Sequence, residues 1–333
     1  MLKFALKKIG YGFLVLLGVV TLVFVLFNIL PGDPARMMLG QRADQESIEI
    51  IHKELGLDKP LYVQYLNYLN DISPLSLDEN NHLELKKPYL RRSYQNNKPV
   101  SEILREAFPN TIYLALASIA IAFVLGVFFG AVASVYKNTW VERVILVVTS
   151  LGMSLPSFFA AILIAWIFAF VLSDYTGLSM FGSLYSVDDF GSGEYLSLKN
   201  IILPAVTLGI RPLAVITELT KSTMNEVMEQ DYIRTAKAKG LSMFQVIRRH
   251  ALRNTLNPVV SSISGWFASL MAGAVFVEYI FDWKGVGVVI VDSLDKYDFP
   301  VLMGALLVIC VILIAINVIT DIVYAILDPR VRM

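Results

Sequence analysis

Six long apolar runs divide this chain: Ile9–Leu30, Ile112–Tyr136, Val144–Leu172, Ile201–Leu219, Val259–Ile280 and Val301–Leu327. Each approaches or exceeds the roughly 20 apolar residues that a helix needs to cross a bilayer core. None alternates with period two, so the pattern predicts membrane helices and not the strands of a membrane barrel. A polar stretch, residues 31 to 108, separates the first two runs, and helical spacing returns twice inside it. Asp44–Leu55 puts Ile48, Ile51 and Leu55 on one face and is stopped by Gly56; Leu61–Leu69 puts Tyr62, Tyr65, Leu66 and Leu69 on another. Ser73 to Pro99 is rich in Asn, Pro and charge and reads as loop. The expected fold is an all-α membrane protein of six helices. Residues 1–30 form the first helix, 31–108 an extracytoplasmic insert, and 109–333 a transmembrane domain of five more. The insert reads as a lid on the bundle or as a dock for a solute-binding protein.

Composition agrees. Of 333 residues, 56% are hydrophobic and 17% charged, against about 45–50% and about 25% in soluble domains. Formal net charge is zero, so no overall field points to nucleic acid. The first run follows Lys3, Lys7 and Lys8, as a signal peptide would. It is too long for one, and Pro31-Gly32-Asp33-Pro34 offers no cleavage site, so it reads as a retained anchor.

The basic residues fall on one side. Lys3, Lys7 and Lys8 precede the first span, and Lys137 and Arg143 bracket the turn after the second. Lys221, Arg234, Lys237, Lys239, Arg248, Arg249 and Arg253 fill the connection after the fourth; Arg330 and Arg332 follow the sixth. That side is expected to be cytoplasmic, with both termini inside. Asp174, Asp188, Asp189 and Glu194, and then Asp282, Asp292, Asp295 and Asp298, mark the opposite side.

Several chemistries are disfavoured. Cys310 is the single cysteine, and His52, His82 and His250 are scattered, so no metal-ligand spacing appears. There is no G-x-x-x-x-G-K-[ST] loop, no H-E-x-x-H and no G-x-S-x-G. If ATP powers this chain, another subunit binds it.

The most informative stretch is the basic connection, 225–257. Asp231 is placed to cap a short helix, and Gly240 to end it in the left-handed conformation. Ser242 and Gln245 form a capping box that starts a second helix, and Pro258 sets the start of span five. The first arm carries small residues, Ala236 and Ala238, beside Ile233 and Leu241. A protein dock or a basic helix resting on anionic lipid would both use such a hairpin. In span five Ser261, Gly265, Ser269 and Gly273 form a ladder of small groups, broadened by Ser264, Ala268 and Ala272; Gly126 and Gly130 make a lone GxxxG in span two. Close helix packing and the wall of a substrate path both explain such a ladder. The intramembrane polar groups are few: Arg211 and Glu218, two turns apart in span four, with Asn317 and Asp321 in span six. They serve a pathway or glue helices together. Pro156, within Ser154-Leu-Pro-Ser157, is expected to kink span three.

Asp231-Tyr-Ile-Arg-Thr-Ala-Lys-Ala-Lys-Gly240-Leu, followed by Arg249-His-Ala-Leu-Arg-Asn, resembles the EAA loop of ABC importer permeases of the dipeptide/oligopeptide/nickel class. Further matches are Leu30-Pro-Gly-Asp-Pro, Leu55-Gly-Leu-Asp-Lys-Pro, Phe108-Pro-Asn-Thr, Ile202-Leu-Pro-Ala, Phe281-Asp-Trp-Lys-Gly-Val-Gly and Asp328-Pro-Arg. Together they resemble the B-type subunit, the one with a large external insert. The resemblance implies the type I (MetI-like) importer fold, a bacterial inner-membrane location and no catalysis in this chain. It implies four partners in kind: a second permease, two cytoplasmic ATPase subunits that hold ATP and magnesium, an external solute-binding protein, and the bilayer. It assigns ATPase coupling to Asp231, Tyr232, Arg234, Thr235, Ala236, Lys237, Ala238, Lys239, Gly240 and Leu241. Arg234, Thr235 and Ala236 stand where the motif reads Glu-Ala-Ala. Candidates for the translocation path are Ser261, Gly265, Ser269, Gly273, Arg211 and Glu218. Peptides are the implied cargo, with nickel or another small solute as the alternative; a self-sufficient channel or secondary transporter is the rival class. Glu218 stands where the class usually has Arg, Lys284 where it usually has Pro, and the loops around Asn80–Pro88 and Asp188–Leu196 are longer than usual.

Overall fold

A computed structural model of the protein describes residues 2–29, 35–36, 44–77, 83–187 and 193–327. Leu30-Pro-Gly-Asp-Pro, Asn80, His82, Asp188, Asp189 and the terminal Asp328-Pro-Arg with Arg332 lie outside the described residues.

The described chain is overwhelmingly helical. In order come α1 (Leu2–Ile29), α2 (Gln45–Leu55), α3 (Leu61–Ile72), β1 (Leu75–Leu77), β2 (Leu83–Leu85), α4 (Val100–Val135), α5 (Trp140–Ser154) and α6 (Ser157–Ala165), which runs into a π-helical turn, Trp166–Val171. Next are β3 (Tyr185–Val187), β4 (Glu194–Leu196), α7 (Ile202–Met228), α8 (Asp231–Ala238) and α9 (Met243–Val246). The last are α10 (Leu252–Gly273), α11 (Val275–Ile280), α12 (Val286–Asp295) and α13 (Phe299–Leu327). The strands form two antiparallel hairpins, with Ser76 opposite Glu84 and Ser186 opposite Tyr195.

Among the described residues three helices are long and apolar enough to cross a membrane: α4, the helical stretch 198–228 that contains α7, and α13. The bent pair α5–α6 makes a fourth if it is one span. Among the described residues of α1 an apolar stretch covers Gly10–Leu26. Large apolar side chains stand exposed along the helices, among them Phe13, Leu22, Val124, Phe128, Val148 and Leu151. A surface of this kind suits lipid and not water.

Three helices differ from the pattern in the sequence. The second run predicts a start at Ile112, yet α4 begins at Val100. Its first turns are amphipathic: Val100, Leu104, Ala107 and Phe108 are buried, while Ser101, Glu102, Arg105 and Glu106 are exposed. At 1.5 Å per residue α4 is about 54 Å long, well beyond a hydrocarbon core of about 30 Å. Pro156 does more than kink its span. Proline pushes the residue before it into extended backbone; Leu155 has φ −75° and ψ 137°, and Pro156 is extended too, so α5 and α6 meet at a bend of 112°. Pro258, expected at the entry into span five, lies inside α10, which begins at Leu252 and runs through it.

The insert packs on α1 through α3. Tyr65 bonds Thr21 at 2.6 Å and Tyr68 stacks on Phe24 at 6.0 Å between ring centroids. The predicted face of this helix is partly wrong: Tyr62 and Leu66 are exposed, and Tyr68 is the buried residue. Burial pushes the Tyr68 phenol up to about 12, against the opposing pull of the Arg91 guanidinium over its ring. Arg91 in turn pairs with Asp71 at 3.0 Å. Gly56, with φ +68°, ends α2 in the left-handed region as expected.

The central seam is α4 against α7. Glycines on both helices permit it: a Cβ at Gly126 would meet Ile216 at 2.7 Å, one at Gly130 would meet the Thr217 carbonyl at 2.6 Å, and one at Gly209 the Ser118 carbonyl at 2.8 Å. At the end of the seam near the α4–α5 turn, Lys221 pairs with Glu142 at 2.5 Å and Ser134 donates to Asn225 at 2.8 Å.

Candidate functional site

The basic connection folds as a hairpin in which each stop signal is local. Gly240 has φ +80°, a conformation that costs other residues about 1–2 kcal/mol. Its N–H bonds the Lys237 carbonyl at 3.0 Å, and Leu241 N–H reaches the Ala236 carbonyl at 3.4 Å. The capping box forms as predicted: Gln245 N–H donates to Ser242 Oγ, and Ser242 N–H donates to Gln245 Oε1 at 3.0 Å. Asp231 is not the cap. Gln230 takes that position, while Asp231 opens the first turn and reaches Arg234 at 3.5 Å.

The hairpin has a small core of its own. Ile233 and Ala236 of α8 are buried with Met224, Val246 and Ala251, and Leu241 packs against them. Ala236 is small where α8 lies close against its own chain. The outward face carries Asp231, Tyr232, Arg234, Thr235, Lys237, Ala238 and Lys239 instead, all exposed. One side chain links this arm to the next helix: Asn254 of α10 donates to the Tyr232 hydroxyl at 2.9 Å. The core ties α8 to Met224 of α7, Val246 of α9 and Ala251, and the Tyr232–Asn254 bond is its side-chain link to α10.

Among the described residues nothing lies within 4 Å of a Cβ added at Gly265 on α10; Ser269 is exposed and Ser261 half-buried. Beside it, α5, α6, α7 and α10 enclose a cleft of about 350 Å³ whose lining includes Leu155, Ser157, Thr207, Arg211, Trp266 and Ser269. Two path candidates, Arg211 and Ser269, are thus brought together. Glu218 is not: it is exposed two turns away and forms no ion pair with Arg211, whose Nη2 donates to the Leu155 carbonyl at 3.4 Å. Asn317 of α13 is exposed and lines no part of this cleft.

Sequence reasoning missed a clasp at the other end of the molecule. Glu278 of α11 is fully buried; its Oε2 accepts the Gly287 N–H at 2.6 Å and its Oε1 has no partner. Gly285 and Gly287 are small because side chains there would fall on the Glu278 carboxylate or on the Val275 backbone. Val286 N–H donates to Thr111 Oγ1 at 2.9 Å, Trp283 Nε1 to the Asn110 carbonyl at 2.9 Å, and Asn110 Nδ2 to the Lys284 carbonyl at 2.7 Å. Phe108-Pro-Asn-Thr and Phe281-Asp-Trp-Lys-Gly-Val-Gly are therefore two halves of one contact. Asp298, one of the predicted acidic markers, is also buried, holding Ser93 Oγ and, at 3.0 Å, the Tyr94 N–H.

The geometry has parallels among known proteins. The binding-protein-dependent transport system inner membrane component family matches residues 122–333, and the family's N-terminal region matches residues 1–115. The dipeptide transport system permease protein DppB of Alkalihalophilus pseudofirmus is 32% identical over all of both chains. The di/tripeptide transport system permease protein DppB of Pseudomonas aeruginosa is 33% identical over 100% of this chain and 99% of that one. A putative peptide transport system permease protein of Brucella abortus is 37% identical over 98% of each. Among solved structures, the inward-facing MetNI methionine ABC transporter superposes with a TM-score of 0.54 at 15% identity, covering 68% of this chain and 97% of that one, which shows a shared fold. Family match and fold together identify the chain as a member of the binding-protein-dependent transport system inner membrane components, a non-catalytic permease subunit of an ABC importer.

Proposed function

We propose that this permease carries di- and oligopeptides inward across the bacterial inner membrane, driven by ATP hydrolysed in other subunits. Its own part is to form half of the path and to convert an ATPase movement into a movement of the path wall. In this reading the chain crosses the membrane six times with both termini in the cytoplasm, and residues 31–108 form the external insert. Residues 109–333 form the transport domain. A second permease completes the path, two ATPase subunits carry ATP and magnesium, and a solute-binding protein delivers peptide to the insert. The names of the full-length relatives support the peptide cargo.

The observation that carries the coupling role is α8. It is a two-turn helix with a polar exposed face, ended by Gly240 and seated on a small packed core. Such an element transmits a push without melting, because its carbonyl ends are satisfied locally. Closure of the ATPases pushes α8; Tyr232 and Asn254 carry the push to α10, and the cleft beside α10 opens outward. Hydrolysis resets it.

The test is purification of the tagged chain from native membranes in mild detergent. Wild type is expected to bring down a second permease and an ATPase. Ala238→Trp, on the exposed face, is expected to lose the ATPase but keep the second permease. Recovery of the chain alone, able to move solute in liposomes without ATP, would overturn the reading in favour of a channel or secondary transporter.

A further inference from the structure

Arg211 is the only ionisable side chain lining the cleft beside α10, among the described residues. Its guanidinium carries five N–H donors, yet its one recorded protein bond is the long one, 3.4 Å, to the Leu155 carbonyl at the break between α5 and α6. Among the described residues no carboxylate pairs with it. By helix rise Arg211 lies about 14 Å along α7 from its start at Ile202, well inside a bilayer core of about 30 Å. A cation placed there is expensive to keep and needs a compensating partner. In contrast, Lys221 on the same helix already has one, Glu142 at 2.5 Å.

We propose that Arg211 recognises the C-terminal carboxylate of a peptide as it passes through the cleft. This rests on the peptide-import reading above. The guanidinium fork matches a carboxylate with two parallel hydrogen bonds. The terminal carboxylate is the one anion that peptides of every sequence share, so a single Arg serves a cargo of varied side chains. Moving an unpaired carboxylate out of water costs several kcal/mol or more; donors at the cleft replace the lost water. Exchanging the weak bond to the Leu155 carbonyl for a charged one releases Arg211 at little cost. With no second cation in the cleft, the contact stays weak enough to let the peptide go. Ser157, Thr207 and Ser269 give the cleft polar walls, and Trp266 gives it a flat apolar one.

The experiment uses the complete transporter in proteoliposomes with its binding protein. It compares uptake of one peptide with that of the same peptide as its C-terminal amide, both at concentrations that saturate the binding protein. The binding protein is common to all samples, so its own preference cancels between variants. Arg211→Gln is expected to lower the acid-to-amide uptake ratio about tenfold, the worth of one charge-assisted contact. Arg211→Lys should lower it less, keeping the charge but losing the fork. A ratio unchanged in Arg211→Gln, whether both rates hold or both fall together, would overturn the inference and assign Arg211 to packing or to a carboxylate of the second permease. A wild-type complex that imports neither peptide would instead overturn the peptide reading itself.

Discussion

On α4, Gly126 and Gly130 lie against α7 so closely that a methyl group at either would strike it; on α10, Gly265 and Ser269 stand at the same kind of spacing with nothing opposite Gly265. The sequence signal is the same in both helices. The first is a seam closed within the chain, and its small residues allow two backbones to approach. The second remains open beside a cleft, and in the proposed reading its small residues face a second permease, a passing solute or both. A ladder of small residues states that something comes close and does not state what.

The largest expected effect lies in the closed seam. Gly130 faces a backbone carbonyl, Thr217, which cannot swing away as a side chain would. Gly130→Leu should leave no folded protein by size-exclusion profile, and Gly130→Ala should cost about 1–3 kcal/mol. Gly265→Leu, in the open face, should leave the lone chain's melting temperature within the range of a change of about 0.5 kcal/mol, while lowering uptake by the assembled transporter. Equal destabilisation by the two leucines would erase the distinction. A second closed seam, α3 against α1, adds a pH-dependent test. The Tyr68 phenol is held at about 12 by burial, above the ordinary value of 10.0, so the folded state retains a proton that the unfolded state loses. Its contribution is therefore fully present below pH 10 and lost as pH rises from about 10 to about 12, by at most about 3 kcal/mol. Tyr68→Phe should remove that alkaline step from a stability-against-pH curve; a step of the same size in the variant would contradict the assignment.

What could be read from the sequence followed the range of the interaction that fixes it. The Ser242–Gln245 box, the left-handed Gly240 and the stop at Gly56 are settled within a few residues, and all three form as expected. The cleft beside α10 was half legible: Arg211 and Ser269 stand out as polar or small groups in apolar runs, but only the fold brings them together and leaves Glu218 apart. Facing was the weakest point. Ala236 turns inward because Met224 and Val246 lie under α8, and Tyr68 is buried because Phe24 lies under α3; all three neighbours belong to other helices. The Pro156 break exceeds a kink because both Leu155 and Pro156 are extended. Glu278 escaped notice as one carboxylate at the end of an apolar run. The clue was the glycine pair seven and nine residues on, Gly285 and Gly287, which is small to make room for it.

The central claim is that α8 is the rigid link between ATP hydrolysis and the path, and Gly240 is its most exposed dependence. A Cβ there meets nothing within 4 Å, so Gly240→Val strains the backbone at φ +80° without a clash and disturbs the end of α8 alone. The decisive measurement is peptide uptake and ATP hydrolysis by the same reconstituted complex carrying this variant. The account predicts that uptake falls at least tenfold while hydrolysis continues. Uptake and hydrolysis both at wild-type levels would contradict it.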